Sequence, residues 1–369
     1  MMWAVPGPLH TPLCDLLGVR HPVMLAGMAA GPCTPELVAA VGAGGGLGVF
    51  GATGMTADAL AADVERALAL GAPRVGVNVQ IAGPTPATTD PEALAARLAP
   101  VREALGLPAR PAPAPGAAPA ASARDLVEAG LAAGASVVTT GLGDPAEVAD
   151  LARAAGAPLL AMVSSVDDAR RSAAAGADAL IAQGAEAGGH RSTFDVGPGG
   201  EVPLVGTVAL VPQVVDATGL PTVASGGIVD GRGLVAALAL GAVGVSMGTR
   251  FLLAAESAVP PAYRARLAGL ADTATVVTDA VTGRPARWVR NRLVDDLRTG
   301  PGHLGWGPQR TAVGDVRAAA TARGDAELMP MLAGQAAGLA RDGQGAAEIV
   351  RAVVEEALAV IFALPGGAR

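Results

Sequence analysis

Not one lysine occurs among the 369 residues; all 26 basic side chains are arginine. Schiff-base chemistry needs a lysine amine and a P-loop needs a lysine over the phosphates, so both are excluded. Aromatic residues make up 2% of the chain, the net charge is −7, and there is no basic tract. Base stacking and phosphate neutralisation both lack their residues, which argues against a nucleic-acid partner. The two cysteines, Cys14 and Cys33, cannot build a disulfide framework and match no metal-ligand spacing, so no metal is expected. No apolar run spans a bilayer: the best, Leu234 to Met247, is broken by Gly241 and Gly244. The opening MMWAVPGPLHTPL has no positive cluster ahead of an apolar core. No signal peptide and no membrane partner are expected, and a cytoplasmic location is.

What the chain does have is 51% apolar residues over a length that permits one large α/β domain or two smaller ones. Eight short β-prone runs recur, at Val23–Ala26, Leu47–Phe50, Val75–Val79, Ser136–Thr140, Leu159–Val163, Ala179–Ala182, Thr222–Ser225 and Gly244–Met247. Each is short, mainly apolar and bounded by Gly, Pro or polar residues, as a strand buried on both faces should be. Alanine-rich stretches between them read as helices, among them Pro35–Val41 behind a Thr34 cap, Ala57–Leu70, Pro145–Ala155, Val166–Ala175 and Gly231–Leu240. A joint of the form Ala-Gly-Ala or Leu-Gly-Ala recurs ahead of strands: LGAPRVGV, AGASVV, AGAPLLA, AGADALIA, LGAVGVS. It marks a repeated helix-stop-strand unit. Eight such units predict a parallel (β/α)8 TIM barrel, with a doubly wound open sheet as the alternative.

Residues 1–253 would form the barrel and residues 345–363 a closing amphipathic helix, within which Glu348–Phe362 carries the pattern. Residues 254–344 read as an appendix of helices and loops. The Pro/Ala-rich stretch Gly106 to Ser122 reads as a surface insertion.

In such a barrel the chemistry sits beyond the C-terminal ends of the strands. There the sequence places Gly27 and Met28 after the first run, Asn78 at the third, Gln183 to His190 after the sixth, Gly226 and Gly227 after the seventh, and Gly248 and Thr249 after the eighth. ASGGIVDGRG and SMGTRF follow the last two strands, where this fold most often binds phosphate through backbone N–H groups and a helix N-terminus. Gly46 to Gly51 also fits G-x-G-x-x-G, but its glycines straddle a strand, which excludes a dinucleotide fingerprint.

The stretch AQGAEAGGHRS, Ala182 to Ser192, sets one of only four histidines after Gly188 and Gly189. His190 is therefore the candidate acid, base or orienting group, ahead of His10, His21 and His303. Glu186 reads as a solvated loop carboxylate rather than a second acid. Asn78 and Gln183 could read the imide edge of a ring ligand or satisfy loop backbone, and the sequence leaves both open.

Together, TPLCDLLGVRHPVMLAGMA, GVNVQ, GADALIAQGAEAGGHR, PTVASGGIVDGRG, MGTRFLLAAES and AGQAAGL make the chain resemble the nitronate monooxygenase (2-nitropropane dioxygenase-like) family, over roughly Thr11 to Ala363. These are FMN-dependent TIM barrels related to the FMN-dependent enoyl-ACP reductases. The resemblance implies FMN held by Ala26, Gly27, Met28, Asn78, Gln183, Gly188, Gly189, Gly226, Gly227, Met247, Gly248 and Thr249. It implies His190 as the residue that takes the α-proton of a nitroalkane or orients a nitronate, with O2 as co-substrate and a carbonyl compound and nitrite as products. An NAD(P)H-dependent enoyl-thioester reductase, or a non-catalytic barrel holding FMN or another phosphate ligand, are the alternatives. Nothing in the sequence specifies an oligomeric state.

Overall fold

Runs that are apolar on both faces need cover on both, which a sheet rolled on itself and wrapped by helices provides. The computed structural model describes residues 8–83, 85, 91–109, 121–299 and 304–364, and it has this architecture. The barrel strands are β1 (Val23–Leu25), β2 (Gly48–Gly51), β3 (Val75–Gln80), β4 (Val137–Gly141), β5 (Leu159–Val163) and β6 (Ala179–Gln183). A two-residue strand outside the barrel, β7 (Gly189–His190), precedes the last two, β8 (Thr222–Ser225) and β9 (Gly244–Met247). The eight are parallel and ordered β1-β9-β8-β6-β5-β4-β3-β2, and a bridge from Met24 to Leu47 brings β2 back to β1. This is the (β/α)8 barrel, and each strand begins within one residue of its expected start.

The helix starts and stops follow local chemistry. Thr34 Oγ1 accepts from the Leu37 N–H at 3.0 Å and Pro35 opens the helix Pro35–Ala43. The recurring glycine of the joint motif stops helices in left-handed backbone, with φ of 92° at Gly71, 91° at Gly176 and 92° at Gly241. Only glycine takes that conformation at little cost. The expected helix Pro145–Ala155 is divided into a 3₁₀ turn, Pro145–Glu147, and an α-helix, Ala149–Ala154.

The N-terminal end of the barrel is plugged. Leu13 and Leu17 of the helix Pro12–Leu17 join Met24, Leu47, Val49, Val137, Leu160, Ile181 and Val223 in one apolar cluster. Gly244 makes the room, since a Cβ there would lie 2.4 Å from Leu13 Cδ2. Thr11 Oγ1 donates to the Val243 carbonyl, just ahead of β9, which fixes the plug at the bottom. Ligand space is left at the opposite end.

The closing helix runs from Ala346 to Ala363 and packs between Pro35–Ala43 and Gly231–Ala239, burying Ile349, Val350, Val353 and Ala357. Residues 254–344 thus form an excursion between the last strand and the last helix. Helices Pro261–Leu267, Arg292–Arg298 and Gly314–Arg323 dominate it, but it also holds an antiparallel hairpin that helices and loops alone do not describe. β10 (Thr275–Thr278) pairs with β11 (Ala286–Val289), and β11 pairs on its other edge with β7. TVVT and ARWV are β-branched and aromatic runs, and the second is buried throughout. Of the Pro/Ala-rich stretch, residues 110–120 lie outside the described ones.

Candidate active site

A cavity of about 780 Å³ opens at the C-terminal ends of the strands, beneath the 254–344 excursion. Ala26, Gly27, Met28, Asn78, Gln183, Gly188, Gly189, His190, Gly226, Gly227, Met247, Gly248 and Thr249 all line it. The sequence-nominated residues therefore meet around one cavity, although they come from five different barrel-strand ends. The volume suits a cofactor or drug-sized ligand.

The glycine loops shape one side of the cavity. Gly226 and Gly227 have φ of 114° and 72°, so the chain turns there in a way that side chains resist. Among the described residues, the N–H groups of Gly226, Gly227, Gly248 and Thr249 have no acceptor. Four unmet donors on a cavity wall form a ready cradle for an anion. The helix Gly231–Ala239 is not one of its donors, whereas Gly248 and Thr249 open the short helix Thr249–Leu252. Asp230 already caps Gly231–Ala239, accepting from Arg232 N at 3.0 Å and Gly233 N at 3.4 Å.

The two strand-end amides behave differently. Asn78 Nδ2 donates to Thr139 Oγ1 at 2.8 Å, and its Oδ1 takes no hydrogen bond from a described residue. Gln183 is committed at both ends: its Nε2 donates to the His190 carbonyl at 2.9 Å and its Oε1 accepts from Ser192 N at 2.9 Å. Gln183 thus holds the histidine loop. Arg191, fully buried beside it, braces the same loop by donating to the carbonyls of Gly184 and Gln183 at 2.7 and 2.8 Å.

Glu186 is not the solvated carboxylate expected. It accepts from Thr207 N at 3.0 and 2.9 Å and from Thr207 Oγ1 at 2.9 Å, capping the helix Thr207–Thr218. A carboxylate suits that position because it satisfies helix N–H groups left open by the first turn.

His190 sits at the centre of residues the sequence did not nominate. Its Nε2 lies 2.9 Å from Thr282 Oγ1, on the turn between β10 and β11. Trp288 and Trp306 meet the imidazole edge-on, with centroid separations of 6.0 and 4.9 Å. Burial pushes the imidazole pKa down from 6.5 to about 3, helped by the positive charges of Arg284 and Arg310. The ring is therefore neutral at physiological pH. Arg310 stacks over Trp306 at 5.9 Å and lines the cavity, half-buried, with no carboxylate partner among the described residues. Burial lowers its pKa, and nearby Arg317 adds to the effect. Two of only three tryptophans in the chain flank the histidine, and that scarcity was a usable signal in the sequence.

Cys14 and Cys33 are buried free thiols, and Met28 N donates to Cys33 Sγ at 3.4 Å. Among the described residues, no three His, Cys, Asp or Glu side chains cluster as metal ligands, and no helix is long and apolar enough to cross a membrane. His303 lies outside the described residues.

Comparison with known proteins places the chain. The family model described as nitronate monooxygenase matches residues 10–356. A probable nitronate monooxygenase of Staphylococcus aureus (strain Newman) is 36% identical over 331 residues, covering 89% of this chain and 92% of the relative. Among solved structures, a nitroalkane oxidase from Streptomyces ansochromogenes is 34% identical, with a TM-score of 0.85 over 96% of this chain and 99% of that one. FabK from Thermotoga maritima is 30% identical, with a TM-score of 0.74 over 95% and 97% of the two chains.

Proposed function

The chain belongs to the nitronate monooxygenase family, and from that premise we propose that it binds FMN and oxidises alkyl nitronates with O2 to carbonyl compounds and nitrite. The observation that carries this reading is the convergence of unpaired loop N–H groups, a strand-end amide and a neutral imidazole on one cavity. The wall fits the group. The N–H groups of Gly226, Gly227, Gly248 and Thr249 would hold the phosphate, and Asn78 Oδ1 would meet the imide edge of the ring. Ala26, Gly27 and Met28 would run alongside it, with Gly188, Gly189 and Met247 completing the wall. FMN, when bound, supplies electron acceptance and reoxidation by O2; the protein supplies binding and orientation.

His190 contributes a lone pair rather than a charge. An imidazole whose pKa lies near 3 can accept an α-proton from a neutral nitroalkane, but it is a weak base at neutral pH. A preformed nitronate needs no such transfer, so nitronates are the better substrates. Arg310 supplies the charge that draws an anion to the ring. Trp288 and Trp306 flank the imidazole and hold it in place.

A second reading, an NAD(P)H-dependent enoyl-thioester reductase, is favoured by the extent of the cavity. It continues past His190 to Arg317, Ala318, Thr321 and Ala322 on the helix Gly314–Arg323, which leaves room for a long substrate. Anaerobic addition of ethyl nitronate, and separately of NADPH, separates the two. Reduction of the bound flavin by nitronate alone is expected. Reduction by NADPH with turnover of a 2-enoyl thioester selects the second reading, and no reduction by either leaves only a ligand-binding barrel.

A further inference from the structure

The excursion 254–344 delivers one polar side chain directly to the histidine, and hydrogen bookkeeping decides what it does there. Among the described residues, Thr282 Oγ1 has two hydrogen-bond neighbours: His190 Nε2 at 2.9 Å and the Arg284 carbonyl at 3.3 Å. A carbonyl oxygen can only accept. Arg284 is buried, and no other described residue donates to its carbonyl. The single hydroxyl proton of Thr282 therefore goes to Arg284, and Oγ1 is left to accept. The partner at 2.9 Å must then be a donor, which requires the proton on Nε2.

We propose that Thr282 fixes the tautomer of His190, holding the proton on Nε2 so that Nδ1 is the atom that receives a substrate proton. The second half rests on the nitronate monooxygenase reading; the tautomer itself does not. Nδ1 has no hydrogen-bond partner among the described residues, and His190 lines the cavity. The rest of the residue is locked around this arrangement. Gln183 fixes the backbone by accepting from Ser192 N and donating to the His190 carbonyl. The two tryptophan rings stand at 84° and 81° to the imidazole plane and limit its rotation. β7 pairs with β11 in a register that sets His190 opposite Ala286, so the turn holding Thr282 is tied to the histidine strand.

The step balances simply. The C–H bond α to the nitro group breaks, its electron pair stays on the substrate to give the nitronate, and the proton bonds to Nδ1. The resulting imidazolium keeps its Nε2–H on Thr282. With a preformed nitronate no proton moves, so Thr282 matters little. Thr282 is thus a positioning residue whose effect depends on the protonation state of the substrate, which purely structural support would not produce.

The test uses the full-length, flavin-loaded protein with 15N-labelled histidine, comparing the wild type with Thr282→Val and Thr282→Ser. Long-range 1H–15N correlation reads the tautomer, with His190 assigned through the His190→Gln variant. The wild type and Thr282→Ser are expected to show Nε2–H, and Thr282→Val to lose that preference. With nitroethane, kcat should fall about tenfold or more in Thr282→Val and recover in Thr282→Ser, as expected for a misoriented general base. With ethyl nitronate, kcat should change less than about twofold. An Nδ1–H tautomer in the wild type overturns the proposal. So does an equal loss with both substrates, an unchanged nitroethane rate in Thr282→Val, or no recovery with serine. If no nitro compound turns over at all, the functional reading fails, while the spectrum still decides the tautomer.

Discussion

Folding buries the His190 imidazole in its neutral form, and that makes stability depend on pH in a direction that can be worked out. An unfolded histidine takes up its proton near pH 6.5, whereas the folded one does so only near 3. Between these values the unfolded chain binds one proton that the folded chain does not, so unfolding is favoured as pH falls. The stabilisation is fully present above about pH 6.5 and is lost progressively as pH drops toward the folded value. At about pH 5 the loss from this one group is about 2 kcal/mol relative to about pH 7.5. That figure needs only a folded pKa well below 5, so it does not depend on where near 3 the value lies. The perturbation is His190→Gln, which removes the titration and can still meet Thr282. Urea unfolding of both proteins, at both pH values and with flavin content matched, gives the comparison. His10, His21 and His303 are common to both and cancel. The wild type is expected to lose about 2 kcal/mol more than the variant on acidification. A difference within about 0.5 kcal/mol would refute the claim that the ring is held neutral by burial.

Two further outcomes follow from the same cavity. Arg310→Leu removes a half-buried cation that has no carboxylate partner among the described residues, so KM for ethyl nitronate should rise about tenfold with a smaller change in kcat. Steady-state kinetics at low and high salt check this, and an unchanged KM would assign the arginine to packing on Trp306. Gly227→Val sets its Cβ 3.4 Å from the Glu186 side chain and places a side chain at φ of 72°, which costs about 1–2 kcal/mol, so the loop must shift. The purified variant should carry far less flavin absorption per chain than the wild type, and equal loading would show that this loop does not hold the cofactor.

The barrel was legible because each strand is a self-contained apolar run and each joint carries its own glycine. Val75–Val79 and Ala179–Ala182 need no distant partner to be recognised, only burial on both faces. The glycine loops after β8 and β9 were legible for the same local reason. What surrounds His190 was not. Thr282 meets it across 92 residues of chain, through the pairing of β7 with β11, and no local pattern encodes that register. Trp306 and Arg310 come from further still. Gln183 was placed at the right strand end, but whether its amide faced a ligand or the loop depended on the path of Gly188 to Ser192. Glu186 was misread because the helix it caps begins 21 residues later. Short-range chemistry is written in short stretches of sequence; the contacts that set the state of the imidazole are tertiary.

The proposed activity turns on a flavin cradled by the loops after β8 and β9, with the imidazole of His190 beside it. The visible spectrum of the purified protein under argon, recorded before and after one equivalent of ethyl nitronate, tests this most directly. Flavin absorption present at the start and lost on mixing, then restored by air with release of nitrite, is the expected result. A protein that stays colourless with added FMN, or a bound flavin that stays oxidised under excess nitronate, would contradict it.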